Sequence, residues 1–279
     1  MTLFKPSELH RFLKTLHIQP QKRLSQNFLI DGNIIKKIVA AANLSTQDCV
    51  LEIGPGPGAL TEALLASGAE VVAIEKDRLL AQHLQHRFQN RRLYMIEGDF
   101  RSVDLKTLLH NRYVKVVANI PYHLAGWILQ QLLPRSHEIH TIHLILQKEI
   151  ADRCVAKVGN KNYSSFSLFT QYYSKATLLY IVPPTCFYPK PKVYSAILQL
   201  QLQPTPPVQA PFHKLFTLIR PSFQQKRKML RVSLKTLAPS SAIEQALISI
   251  GSIPTARPQN LTLAKFSQLT GVLMAKAWI

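Results

Sequence analysis

The chain has 279 residues, 47% of them hydrophobic and 18% charged, which excludes a disordered polypeptide and gives enough length for one large or two modest domains. Lys and Arg number 34 against 15 Asp and Glu, a net charge of +19, so a polyanionic partner is expected, either nucleic acid or an anionic membrane surface. No apolar run reaches bilayer-spanning length. Cys49, Cys154 and Cys186 are too scattered for a disulfide framework or a metal site, and no metal is expected. Residues 1–18 lack the apolar stretch of a secretory signal, so a cytoplasmic protein is expected.

In chain order, residues 1–24 read as a basic arm carrying Lys5, Arg11, Lys14, Lys22 and Arg23, with a leading helix. Asp31 is placed to cap a helix in which Ile34, Ile35, Ile38, Val39 and Ala42 recur at helical spacing. Strands are predicted at 49–53, 70–75, 93–97, 115–119, 139–147, 176–182 and 194–202. Helices are predicted at about 58–67, 77–88, 124–133 and 147–157. Apolar strands alternating with helices imply an α/β fold, a parallel doubly wound sheet. The last two strands follow each other closely enough for an antiparallel hairpin at its edge. A proline-rich linker at 203–208 ends this pattern. Residues 212–279 read as helices only, with ten Lys and Arg against Glu244 alone. The expected division is therefore an arm (1–24), a sheet domain (25–205) and a basic helical domain (206–279).

The predicted strand at 115–119 ends in Asn119-Ile120-Pro121-Tyr122. An amide beside a ring can take an amino group by hydrogen bonding while the ring stacks on the base that carries it. The same four residues would also serve as a plain strand-to-helix turn, with Asn as cap and Pro setting φ. The first strand runs into Glu52-Ile53-Gly54-Pro55-Gly56-Pro57-Gly58, a glycine-rich turn opening a helix, the context of a cofactor loop. Pro55 and Pro57 each remove an N–H that a pyrophosphate cradle would use. A cofactor without phosphates, such as S-adenosylmethionine, suits the loop better. Glu75 and Asp99 close the next two strands, where such sheets present acids to ribose hydroxyls and to an adenine amino group. Glu52 is placed to orient the loop or to neutralise a cationic cofactor.

Gln26-Asn27-Phe28-Leu29, the glycine-rich turn, Asn119 to Tyr122, Gln147-Lys-Glu-Ile-Ala-Asp-Arg153, Phe187-Tyr-Pro-Lys-Pro-Lys-Val-Tyr-Ser195, Lys226-Arg-Lys-Met-Leu-Arg231 and Ala256-Arg-Pro258 together resemble the ribosomal RNA adenine N6,N6-dimethyltransferases, from about residue 20 to 270. The resemblance implies a Rossmann-like class I S-adenosylmethionine-dependent methyltransferase sheet with a smaller all-α domain. It implies dimethylation of two adjacent adenosines near the 3′ end of small-subunit (16S) rRNA, within a pre-30S particle, by a monomer that touches no membrane. It also implies cofactor contacts from Asn27, Leu29, Gly54, Gly56, Glu75, Asp99 and Asn119. Asn119, Ile120, Pro121 and Tyr122 form the catalytic turn, and Phe187 joins Tyr122 as a stacking ring. RNA contacts are implied at Lys190, Lys192, Lys226, Arg227, Lys228 and Arg231, the last four on a predicted helix. Three departures from the family pattern are visible: Ser25 for Gly, Ile120 for Leu, and Tyr163-Ser164-Ser165-Phe166-Ser167 for Tyr-Gly-Arg-Leu-Ser.

An exocyclic adenine amine is a poor nucleophile because its lone pair is delocalised into the ring. Acceptors on both of its hydrogens, expected from the Asn119 side chain and the Ile120 carbonyl, favour a nucleophilic nitrogen. Positioning then supplies most of the rate, and no general base is required. A large-subunit rRNA methyltransferase of the macrolide-resistance type, or a non-catalytic assembly or transcription factor on the same fold, are the alternatives.

Overall fold

The computed structural model describes residues 3–20, 26–110 and 112–279; Lys22, Arg23 and Ser25 lie outside them. In chain order the elements are α1 (Pro6–Thr15), β1 (Phe28–Leu29), α2 (Gly32–Ala42), β2 (Cys49–Ile53), α3 (Ala59–Ala66), β3 (Glu70–Glu75), α4 (Arg78–Arg87), β4 (Leu93–Glu97), α5 (Leu105–Leu108), β5 (Val114–Asn119), α6 (Ala125–Leu132), β6 (Ile139–Gln147) and α7 (Lys148–Val155). They continue with α8 (Ser165–Tyr173), β7 (Ser174–Val182), β8 (Phe187–Tyr188), β9 (Ser195–Leu202), α9 (Phe212–Gln224), α10 (Leu230–Ser233), α11 (Ser240–Ser249) and α12 (Leu263–Ala275). Every strand expected from the sequence is present. The chain divides into two units, 1–151 with 176–202 and 152–175 with 203–279.

The first unit is built on a seven-stranded sheet in the order β4-β3-β2-β5-β6-β9-β7. Strands β2 to β6 pair in parallel, and β9 runs antiparallel to β6 with Gln147 opposite Ser195. The last two strands are neighbours at the edge as expected, with β9 inside and β7 outside. Strand order reverses between β2 and β5, whose outward neighbours are β3 and β6. In open α/β sheets the crevice beyond the carboxyl ends at such a switch point receives ligands. Both the glycine-rich turn after β2 and the Asn119 turn after β5 open into it.

Local chemistry explains the boundaries. Asp31 Oδ1 accepts from the N–H groups of Asn33 (2.8 Å) and Ile34 (3.2 Å), capping α2. Asp77 caps α4 in the same way. The apolar faces of these helices, with Ile34, Ile35, Ile38, Leu64, Leu80 and Leu84, pack with sheet residues Val50, Val71 and Val117 in one core. A separate two-stranded ladder pairs β1 with β8, Leu29 opposite Phe187. Two residues are too few to show the alternation by which a strand is read from sequence.

The second unit is helical around Tyr163, Leu168, Leu215, Ile219, Leu247 and Phe266. Buried Tyr163 donates its hydroxyl to the Leu261 carbonyl at 2.9 Å. Ser164, where the family has Gly, begins α8 with a reciprocal capping box to Ser167. The departure at this point thus supplies a helix start.

Three expectations need correction. Residues 152–175 group with the helical unit and not with the sheet domain (25–205), because Tyr163, Leu168 and Tyr172 supply part of its core. The arm (1–24), expected as a part of its own with a leading helix, has that helix, but over its described part it groups with the sheet unit: Leu9, Phe12 and Leu13 of α1 are buried in that unit's core. Lys226, Arg227 and Lys228 lie in the turn between α9 and α10, and only Arg231 is helical. Pro221 within α9 lacks the N–H that would continue the ladder, and the helix stops at Gln224. Phe12, 4% exposed with its ring 4.5 Å from that of His83, provides a test of the docked helix. Phe12→Ala is expected to cost about 3–5 kcal/mol of stability, read as a shifted urea midpoint; an unshifted midpoint would separate the arm from this core.

Candidate functional site

The glycine-rich turn spends its own hydrogen-bond donors internally. The Gly54 N–H goes to the Ile74 carbonyl (2.9 Å) and the Gly58 N–H to the Pro55 carbonyl (3.1 Å). The Gly56 N–H goes to Glu75 Oε2 at 2.9 Å. Pro55 and Pro57 have none to give. No donor of the turn is left for a phosphate, which is a stronger constraint than the sequence could state. Glycine is required at 56 by φ of +58° and by the Phe28 ring, which a Cβ would meet at 3.1 Å. Phe28 belongs to β1, so the turn and the β1 segment touch across the cavity.

Three acids meet here in different states. Glu75 is buried, its Oε1 accepting from the Asp77 N–H at 2.8 Å while Oε2 holds Gly56. Burial raises its pKa although both backbone donors oppose the shift. Glu52 is 1% exposed and its Oε2 has no hydrogen-bond partner. Burial pushes it up to about 8, and the charge of Glu75 acts in the same direction. The Thr61 hydroxyl opposes the shift without closing a hydrogen bond of ordinary geometry. Asp99 is the reverse case. Arg101 forks onto it with Nη2 at 2.7 Å and Nε at 3.2 Å, the Arg101 backbone N–H adds a bond at 3.0 Å, and Lys76 Nζ is a fourth donor at 3.0 Å. The Arg101 guanidinium is the main cause that holds the Asp99 carboxyl well below the usual carboxylate range.

The turn after β5 is fixed at each residue. Asn119 Nδ2 donates to the Asn27 carbonyl at 2.9 Å. That bond assigns the amide's orientation and leaves Oδ1 as its acceptor. The Ile120 N–H is bonded to the Ile145 carbonyl at 3.1 Å, so its carbonyl is the group with capacity for a ligand. The Pro121 carbonyl accepts from the Leu124 N–H at 3.0 Å. Tyr122 shares a 2.6 Å hydrogen bond between its hydroxyl and Ser195 Oγ, and its burial raises the phenol pKa.

A cavity of about 310 Å³ is lined by Asn27, Leu29, Gly54, Gly56, Glu75, Asp99 and Asn119, together with Ile120, Pro121 and Tyr122. All the expected cofactor residues and four of the five catalytic ones thus meet in one place. Phe187 does not line the cavity: at 2% exposed it packs in the core beneath β1. Lys190 and Lys192 are exposed between β8 and β9. In the helical unit, Lys226 Nζ is engaged by the carbonyls of Lys161 (3.0 Å) and Tyr163 (2.8 Å), Arg231 pairs with Glu244, and Arg227 and Lys228 are exposed. Sequence reasoning missed Lys76, Arg101 and Ser195. Ser195 ends a motif already noticed, and Arg101 stands two residues after Asp99, the spacing at which a 3₁₀ turn allows the fork.

Residues 18–270 match the family model described as ribosomal RNA adenine dimethylase. The chain is 45% identical to the ribosomal RNA small subunit methyltransferase A of Protochlamydia amoebophila, covering 96% of both chains. It is 41% identical to the protein of the same name from Thermosynechococcus vestitus, covering 92% of this chain and 97% of that one. Among solved structures, a dimethyladenosine transferase from Plasmodium falciparum superposes with a TM-score of 0.77 at 26% identity, over 90% of this chain and 98% of that one. The 23S rRNA methyltransferase ErmE gives 0.73 at 25% identity, over 89% and 100%.

The buried Glu52 carboxyl makes stability depend on pH. Its folded pKa lies above the ordinary 4.5, so its stabilising contribution is complete below that value and is lost as pH rises toward 8. Across this window the melting temperature of wild type should fall more steeply than that of Glu52→Gln, as read by scanning calorimetry. Parallel curves would place the titration elsewhere.

Proposed function

The chain belongs to the ribosomal RNA adenine dimethylase family, and on that premise we propose that the cavity binds S-adenosylmethionine and that the Asn119 turn presents the N6 amine of adenosine for dimethylation. The substrate is a pair of adjacent adenosines near the 3′ end of small-subunit rRNA. Near-full-length likeness to small-subunit enzymes supports this target over the large subunit. ErmE, the large-subunit neighbour, stands at 25% identity against 45% for the small-subunit relative.

The residues fit this cofactor. The glycine-rich turn has no donor for a phosphate, and the buried Glu52 carboxyl, whose Oε2 has no hydrogen-bond partner, would take up its negative charge beside a cationic cofactor. Glu75 keeps a lone pair on each oxygen for ribose hydroxyls. An adenine amino group reaching Asp99 has to displace one of the Arg101 or Lys76 bonds, so Arg101 competes with the ligand at that end. When bound, the cofactor supplies an electrophilic methyl group on sulfur.

The chain's own part is positioning. Asn119 Oδ1 and the Ile120 carbonyl accept the two amine hydrogens and oppose delocalisation of the lone pair. The Tyr122 ring, braced by Ser195, carries the face of the extruded base and offsets an unstacking cost of a few kcal/mol. Phe187, buried and paired with Leu29, is the second ring that the family pattern implies. The turn itself holds no His, Asp or Glu, in keeping with an amine that becomes acidic as it is methylated and yields its proton to water. The observation that supports this reading is the Asn119–Asn27 bond, because it occupies the amide nitrogen and leaves the oxygen as an acceptor for an amine.

RNA is held by Lys190 and Lys192 on the sheet unit and by Arg227 and Lys228 on the helical one, with Lys226 and Arg231 shaping that turn. The reading extends to an assembling pre-30S particle as substrate and to a monomeric, cytoplasmic enzyme. Among the described residues no helix is long and apolar enough to cross a membrane.

Two measurements test the proposal. Asn119→Ala should reduce methyl transfer to unmethylated small subunits by about 10²- to 10³-fold, the usual cost of losing one preorganised polar partner; transfer at the wild-type rate would refute the assignment. Replacing Arg227 and Lys228 by Gln should lower the salt slope of RNA binding by about 0.7 to 0.9 per residue, and an unchanged slope would remove them from the interface.

A further inference from the structure

Apolar side chains exposed on the sheet unit are mostly single, but two pairs lie together at one edge. Tyr180 and Ile181 end β7, Val193 and Tyr194 precede β9, and all four are exposed, Tyr194 by 55%. These strands are neighbours, so the end of one and the start of the other, joined by 183–194, share an edge. That edge is at the carboxyl end of β6, since Gln147 of β6 is opposite Ser195. The connection between them carries exposed Lys190 and Lys192, for which the described residues provide no ion-pair partner. Tyr194 is thus an exposed ring that follows two exposed lysines in the chain. It is also covalently adjacent to Ser195, whose hydroxyl braces the Tyr122 ring at 2.6 Å.

We propose that Tyr194 is a stacking platform for an unpaired nucleobase next to the target, with Lys190 and Lys192 on the intervening phosphates. The proposal rests on the adenosine-methyltransferase reading and deepens it. A base drawn out of its stack leaves a neighbour with one open face. Tyr194 precedes the anchor of the target-binding ring by one residue, so its exposed ring lies at the same end of the sheet. Stacking of this kind accepts any base, because each has a π-face. It therefore supplies hold on the strand, while choice of the methylated base stays with the Asn119 turn. The cations favour nucleic acid over a protein partner or a second copy of this chain, in keeping with a net charge of +19.

The test uses the full-length protein and a labelled single-stranded oligoribonucleotide containing two adjacent adenosines, with binding read by fluorescence anisotropy. Tyr194→Ala should weaken binding at least about fivefold, with an unchanged salt slope. Tyr194→Trp should bind like wild type, and Tyr194→Leu, which keeps the bulk but loses the ring, should bind like the Ala variant. Replacing Lys190 and Lys192 by Gln should lower the salt slope by about 0.7 per residue. The platform is overturned if Tyr194→Ala or Tyr194→Leu binds as tightly as wild type. It is also overturned if wild type is a dimer in sedimentation that Tyr194→Ala dissociates. Methyl transfer by wild type separates the two readings. Transfer with no binding defect in the variants refutes only the platform. Absence of transfer, with the binding defects present, refutes only the enzymatic reading.

Discussion

A buried carboxylate on the last residue of β3 ties together the segments between which a ligand has to lie. Glu75 accepts from Gly56 in the turn after β2 and from Asp77 at the start of α4, so the depth and floor of the cavity are set by one side chain. Taking a carboxylate out of water is costly, and backbone donors offset only part of that cost. The rest is borne by the surrounding core, in which Leu80 and Leu84 of α4 pack against Leu64 of α3. With the floor rigid, the turn after β5 has a fixed partner to face. Loss of the Gly56 bond would release a glycine at positive φ into a cavity whose opposite wall, Phe28, is only a methyl group's distance away.

The division of labour follows from where charge is present and where it is absent. At the cofactor end the walls carry carboxylates in three states: Glu52 unpartnered, Glu75 held by backbone and Asp99 saturated by cations. At the base end the polar groups are neutral, an amide oxygen and a peptide carbonyl. Neutral acceptors can take the hydrogens of an uncharged amine without adding repulsion toward the phosphates that accompany the base. On the proposed reading, catalysis is thus a matter of holding geometry.

How much of this could be read from the sequence depended on the length scale of each feature. Strands of five to nine residues with apolar continuity were legible from periodicity, and so was the cap at Asp31. The cavity was legible because its contributors stand at the carboxyl ends of those strands, where Glu75, Asp99 and Asn119 are fixed by topology. The two-residue ladder between Phe28–Leu29 and Phe187–Tyr188 was not, since its partners are far apart in sequence and too short to show a period. For the same reason the depth at which Phe187 is buried was invisible. The grouping of 152–175 with the helical unit escaped notice because the proline-rich linker marks only one of the two places where the chain changes unit. The basic run 226–231 has helix-forming side chains, but the tether of Lys226 to the carbonyls of Lys161 and Tyr163 overrides local propensity.

The same two-residue ladder links events that a reaction scheme would write separately. Asn27 and Leu29 wall the cofactor side of the cavity. Their backbone is bonded to Asn119 on one flank and, through β1, to the strand that carries Phe187 on the other. On the proposed reading, placing two methyl groups on one nitrogen takes two cofactor molecules in turn. An exchange that widened this wall would strain the Asn119–Asn27 bond and the Leu29–Phe187 pairing together, so the acceptor geometry and the ladder would be reset as one unit between the two transfers.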